Sequence, residues 1–153
     1  MSNIFFDLQD SVAKRVLGVD AFVGVEGIGV AQERKGDILS QLETLLLRLG
    51  VGLTVLTPEI SPGGEGPFSL IVNPTVVIVE NVIINQSATG TRVAAFDLIG
   101  ATFGRLLNPP SGWAPDGWTS LLFKGMTIGD PGIKNAVEYD LKFETRTMLQ
   151  IET

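Results

Sequence analysis

The sequence predicts an α+β fold: one domain over residues 1–153, with an antiparallel or mixed sheet and helices packed mainly on one face. Three observations carry this expectation. Apolar residues recur at three- and four-residue steps in three separate segments, as in helices with one buried stripe. The run Val76-Val77-Ile78-Val79-Glu80-Asn81-Val82-Ile83-Ile84 is β-branched and apolar on both faces, the pattern of a central strand covered twice. The closing segment alternates apolar and charged residues at a period of two, the signature of a strand with one wet face.

A first helix is expected over residues 3–17, with Phe5, Leu8, Val12 and Val16 as its stripe and Gly18 as its stop. Residues 22–30 read as a strand weakened by Gly24, Gly27 and Gly29, which suits a bulge, a close backbone approach or a loop. A second helix spans 37–49. Ile38, Leu42, Leu45 and Leu49 form its stripe, Leu39 and Leu46 widen it, and Gly50 stands where a left-handed stop belongs. Such a broad leucine surface packs on more than one neighbour.

Strand signals follow at 51–56. Residues 57–67, with three prolines and three glycines, read as an exposed, mobile loop. Residues 68–73 and 75–85 read as one long strand or two, interrupted at Pro74, which cannot donate to a ladder. After a polar turn, a third helix covers 91–107, with Arg92, Phe96, Ile99, Phe103 and Leu106 on one period. Thr89 or Thr91 is placed to cap it, and Pro109-Pro110 ends it. Residues 108–117 are irregular and carry Trp113, with Trp118 just beyond. Strand character returns at 119–128, and 129–132 is a turn. In 136–149, Val137, Tyr139, Leu141 and Phe143 oppose Glu138, Asp140, Lys142, Glu144 and Arg146. The alternating signs suit cross-strand ion pairs, and the short connection predicts an antiparallel hairpin.

Composition excludes several function classes. Only 18% of residues are charged, below the usual quarter, and the mean hydropathy is +0.31. Apolar surface shared with other chains fits those values, as does a large core. The net charge is −6 and the 11 basic residues are scattered, so no basic stripe offers itself to a row of phosphates or to an anionic membrane. No apolar run approaches the roughly 20 residues that span a bilayer. The first residues lack the basic start of a signal peptide, which points to intracellular synthesis.

There is no cysteine and no histidine. Disulfides and thiolate metal sites are excluded, and the commonest general base and transition-metal ligand are absent. Gly24-Val25-Glu26-Gly27-Ile28-Gly29 is a partial match to a phosphate-binding loop, but Gln32 stands where the next glycine should be, and no Walker lysine follows. Glu80 and Asp97 interrupt apolar patterns. A buried carboxylate there could act as an acid, whereas an ion pair with Arg92 or Arg105, or exposure at a subunit boundary, is the plainer account. No catalytic, cofactor or metal residues are therefore assigned.

The run Val76-Val77-Ile78-Val79-Glu80-Asn81-Val82-Ile83-Ile84-Asn85 leads through a short turn into Thr91-Arg92-Val93-Ala94-Ala95-Phe96-Asp97, and the chain closes with Glu138-Tyr139-Asp140-Leu141-Lys142-Phe143-Glu144. As a pattern of elements over residues 35–147, this resembles the small tail-terminator and tail-completion proteins of long-tailed bacteriophages and phage-like particles. The resemblance carries no functional residue across. It implies a virion protein of the tail or neck, assembled in the host cytoplasm and not an enzyme. Its subunits would form a hexameric ring that caps the tail tube and docks the neck or head–tail connector protein. A closed ring needs two different complementary patches on each subunit.

Candidate interface residues are Gly63, Gly64, Glu65, Gly66, Trp113 and Trp118, the flexible and apolar features least needed for a core. Two other functions are weighed: another phage structural subunit (a head–tail connector or tail-tube component), and a small carboxylate-dependent or ligand-binding enzyme with Glu80 or Asp97 at the base of a deep pocket.

Overall fold

A strand that is apolar on both sides sits at the centre of the molecule, and helices cover it from both faces. The computed structural model describes residues 4–17, 29–31, 37–57, 59–64, 69–81, 83 and 95–148. Within them the order is α1 (Ile4–Leu17), β1 (Gly29–Ala31), α2 (Ile38–Leu49), β2 (Val51–Leu56), β3 (Ile60–Pro62), β4 (Ser69–Val72), β5 (Thr75–Asn81), α3 (Ala95–Leu107), β6 (Leu122–Gly129) and β7 (Ala136–Met148).

All seven strands join one mixed sheet. β1 runs parallel to β2, and every other pairing is antiparallel. β4 and β5 lie end to end along β7 in one unbroken register, from Ser69 opposite Met148 to Asn81 opposite Ala136. The sequence left open one strand or two at Pro74; the answer is one line of strand with a local interruption. β2 and β3 likewise follow one another along the opposite edge of β5 and β4.

Alternation along β5 sends Val76 and Ile78 to one face and Val77 and Val79 to the other, and all seven residues of the strand are buried. On the first face α1 contributes Leu8, Val12 and Val16, and α3 contributes Leu98, Ile99 and Leu106; Val51, Leu53, Leu141 and Phe143 complete this main core. On the second face α2 lays Leu42 and Leu46 over Val77 and Val79, with Ile133 and Ala136 beside them. Two helices thus share one face and the third covers part of the other. Each fully buried Leu, Val or Phe contributes roughly 1.5–3 kcal/mol through apolar surface removed from water.

Local sequence explains the ends of α2. The Asp37 carboxylate accepts the Leu39 amide at 2.9 Å, and Gly50, at φ 84°, closes the helix by donating to the Leu46 carbonyl. Gly50 adopts this left-handed backbone without the steric cost a Cβ would impose.

Four expectations need correction. Residues 57–67 are not wholly loop, since Ile60–Pro62 pairs with β4 as an exposed strand. The central strand stops at Asn81, and Ile83 lies in a helical turn, 69% exposed. Phe96 is not on the buried stripe of α3: it is 63% exposed, and the buried set is Ala95, Leu98, Ile99, Thr102 and Leu106. β6 begins at Leu122 rather than at 119. The phosphate-loop segment 24–28, the caps Thr89 and Thr91, and Arg92 lie outside the described residues.

Candidate subunit interface

β6 pairs with β7 along one edge only, and no other described strand covers its second edge. Gly125 alone of its eight residues is half-buried; the other seven are exposed. Phe123, Met126 and Ile128 stand in register with Phe143, Leu141 and Tyr139, and so share the face on which α1 and α3 pack. α3 covers this face only in part. Phe103 meets Phe123 edge-to-face at 4.8 Å, and Phe96 meets Tyr139 at 5.5 Å. Beyond these contacts Phe96, Phe123, Met126 and Ile128 form an exposed apolar strip along an open strand edge. An edge of this kind offers unpaired backbone donors and acceptors to an incoming strand.

The opposite face of β6 and β7 is polar. A depression of about 360 Å³ is lined there by Glu59, Thr75, Lys124, Thr127, Asp140 and Lys142. Directly across the sheet Lys142 faces the uncharged Thr75 and Gly125. Its Nζ lies 3.1 Å from Glu59 Oε1, an ion pair that ties β7 to the residue before β3. With both side chains substantially exposed, it is worth no more than about 1 kcal/mol. Lys124 falls at a register shift between Phe123 and Gly125, a bulge in the edge strand. Further along, burial and the adjacent Asp140 carboxyl push the Glu138 carboxyl from 4.5 up to about 7. Val79 and Gly129 flank Glu138, and Val77 and Thr127 flank Asp140, so neither carboxyl has a cation directly across the sheet.

The residues singled out from sequence scatter. Trp113 and Trp118 are half-buried and pack against the main core. Arg15 lies over the Trp113 ring at 5.3 Å, and its Nε donates to the Arg105 carbonyl, tying α1, the tryptophan loop and the end of α3 together. Next to Trp118, Thr119 is stitched to the end of β7 by four bonds: its amide to the Arg146 carbonyl, its carbonyl from Thr145 Oγ1, its Oγ1 from the Arg146 amide, and a bond between the Thr119 and Thr145 hydroxyls. Gly63 and Gly64 follow β3 at the end of its pairing with β4. The Gly63 amide donates to the Ser69 carbonyl at 2.8 Å, and a Cβ at Gly63 would collide with the Ser69 side chain. Glu65 and Gly66 lie outside the described residues.

The two carboxylates of the enzyme reading stand in different surroundings. Glu80 is buried, and its Oε2 accepts the amide of Ala95, the first residue of α3, at 3.0 Å. It serves the positive end of that helix. Asp97 is exposed on the first turn of the same helix. Among the described residues no cluster of three or more acidic side chains could hold a metal ion, and no helix is long and apolar enough to cross a membrane.

The fold has a solved counterpart. A chain of the virion of the native gene transfer agent (GTA) particle is similar to this one, with a TM-score of 0.60 over 93% of this chain and 95% of that chain, at 12% sequence identity. At that identity the likeness shows a shared fold. No protein-family model and no curated protein matches the chain.

The β6 strip is what the sequence reading missed. Its signal was a strand of eight residues with a single charge, Lys124. Alternation reveals two faces of a strand, but not which strand ends the sheet.

Proposed function

We propose that this chain is a structural subunit of a phage-like particle, acting as a tail terminator: a ring that caps the tail tube and joins it to the neck or head–tail connector. The observation that carries this reading is the likeness, over nearly the whole of both chains, to a component of a gene transfer agent virion. The exposed apolar edge at β6 supports an assembling role, since a lone subunit would leave Leu122, Phe123, Met126 and Ile128 in water. Among the described residues the buried carboxylate Glu80 accepts the amide that opens α3.

The test combines solution mass with capture. Light scattering behind a sizing column, across a concentration series, should show a ring-sized species, and electron microscopy should find that species on the ends of purified tail tubes. A strict monomer that ignores tubes overturns the proposal.

One observation favours a second reading. The strand Ile60–Pro62 pairs with β4 and has exposed residues throughout, an arm that a tail-tube subunit could lay on its neighbour. A tube subunit polymerises without limit, so open-ended fibres in place of closed rings would select it.

A further inference from the structure

We propose that the β6 edge of one subunit pairs, antiparallel and strand to strand, with the β3 edge of a second copy of this chain. The proposal rests on the ring-subunit reading and names the surfaces that would close the ring.

Backbone direction comes first. β6 is antiparallel to β7, β7 to β4, and β4 to β3, so the two open edges run in opposite senses. A copy rotated about an axis inclined to the strands therefore brings its β3 edge antiparallel to β6, and the operation repeats around a cycle. The inclination sets Ile60, level with Thr145 of β7, beside Met126, level with Leu141.

Hydrogen-bond parity comes second. The Phe143 amide donates to the Pro74 carbonyl, so odd-numbered β7 residues bond toward β4 and β5 while even-numbered ones bond toward β6. Thr127 and Gly129, opposite Asp140 and Glu138, are thus bonded within the subunit, and Met126 and Ile128 turn their amides and carbonyls outward. On β3, the Asn73 amide bonds the Glu59 carbonyl and the Gly63 amide bonds the Ser69 carbonyl. Residues 59, 61 and 63 therefore bond inward. Ile60 presents an outward donor and acceptor, and Pro62 an outward acceptor.

Side chains match on the apolar face. Ile60, 48% exposed, is in register with buried Val72, which places it on the face that carries Met126 and Ile128 at the other edge. Edge-to-edge pairing joins these apolar groups. On the polar face Glu59 is already held by Lys142 of its own subunit, so the joint between copies is made by the apolar side chains and the backbone.

The chain contains no cysteine, which makes cross-linking clean. Met126→Cys mixed with Ile60→Cys should give a disulfide-linked dimer under mild oxidation, while neither variant alone does so. Ile128→Pro removes an outward amide together with an exposed apolar side chain, and breaks no ladder bond within the subunit. It should abolish the oligomer while leaving the circular dichroism and melting temperature of the subunit in place. Should that variant fold poorly, Ile60→Asp tests the other edge without touching β6.

A Met126→Cys dimer with itself overturns the proposal in favour of a two-fold contact. An oligomer that survives both Ile128→Pro and Ile60→Asp, or wild type that stays monomeric at every concentration, overturns it outright. If those variants still form rings that cap tubes, the edge pairing fails and the terminator reading stands. If wild type pairs through these edges yet ignores tubes, the terminator reading fails and the edge pairing stands.

Discussion

The side-chain amide of Asn73 donates to the backbone carbonyl of Phe143 at 3.1 Å, supplying the ladder bond that Pro74 cannot make. Residue 74 lies opposite 143 in the register that runs through β4 and β5, and the Phe143 amide donates to the Pro74 carbonyl at 2.9 Å. The return bond needs an amide at 74, which proline lacks. The neighbouring side chain takes that place, so two short strands act as one.

Asn73 is buried, so Asn73→Ala leaves the Phe143 carbonyl without this partner and should cost about 1–3 kcal/mol. Urea denaturation checks it. Adding Pro74→Ala to that variant restores a backbone amide and should recover part of the loss. A further loss instead would show that Pro74 is needed for its ring rather than merely tolerated.

Glu80 reaches from the central sheet to the first amide of α3. Glu80→Ala should lower stability by roughly 1.5–3 kcal/mol, as expected for a hydrogen bond to a charged group. Glu80→Gln, which keeps an acceptor but loses the charge, should fall between the two. Thermal melts followed at 222 nm, where helix dominates the signal, would separate the three proteins.

For Glu138, folding raises the carboxyl from 4.5 to about 7, so between these values the folded chain holds more proton than the unfolded chain. Stability is therefore full below the lower value and declines as pH rises through the upper one. Melting temperature should drop between pH 5 and 8 in the wild type, and Glu138→Gln should flatten that slope. An unchanged slope in the variant would locate the titration elsewhere.

Trp113 packs on the main core beneath Arg15. Trp113→Ala should cost about 2 kcal/mol, less than for a fully buried tryptophan, and Arg15→Ala about 1 kcal/mol through the lost cation–π contact. Both are read from denaturant midpoints. Any effect on assembly should follow the loss of stability, in contrast to Ile128→Pro, where the two should separate.

Much of the fold was legible because neighbouring signals agreed. Asp37 and Gly50 bracket the leucines of α2, and both perform the capping expected of them. The two-sided apolar run of β5 and the alternation of β7 identify the centre of the sheet and its neighbour. β3 was hidden because Pro62 reads as a breaker. In the structure Pro62 sits on an edge with its missing amide turned outward, where a proline costs the ladder nothing. Phe96 follows the helical period of α3, but the sheet covers too little of that helix to bury it. The six residues offered as an interface were chosen as unneeded by the core, and the core uses both tryptophans.

The single line formed by β4 and β5 against β7 also sets an order of events during synthesis. Residues 69–81 emerge well before their partners at 136–148, and until the latter arrive β5 has β2 on one side and nothing on the other. Contacts so distant in sequence form slowly. The most apolar strand of the chain therefore spends its early life with an open edge inside an unfinished sheet. Slower translation of residues 82–148 lengthens that exposure and should lower the yield of soluble protein, whereas a lower growth temperature, which weakens apolar association, should raise it.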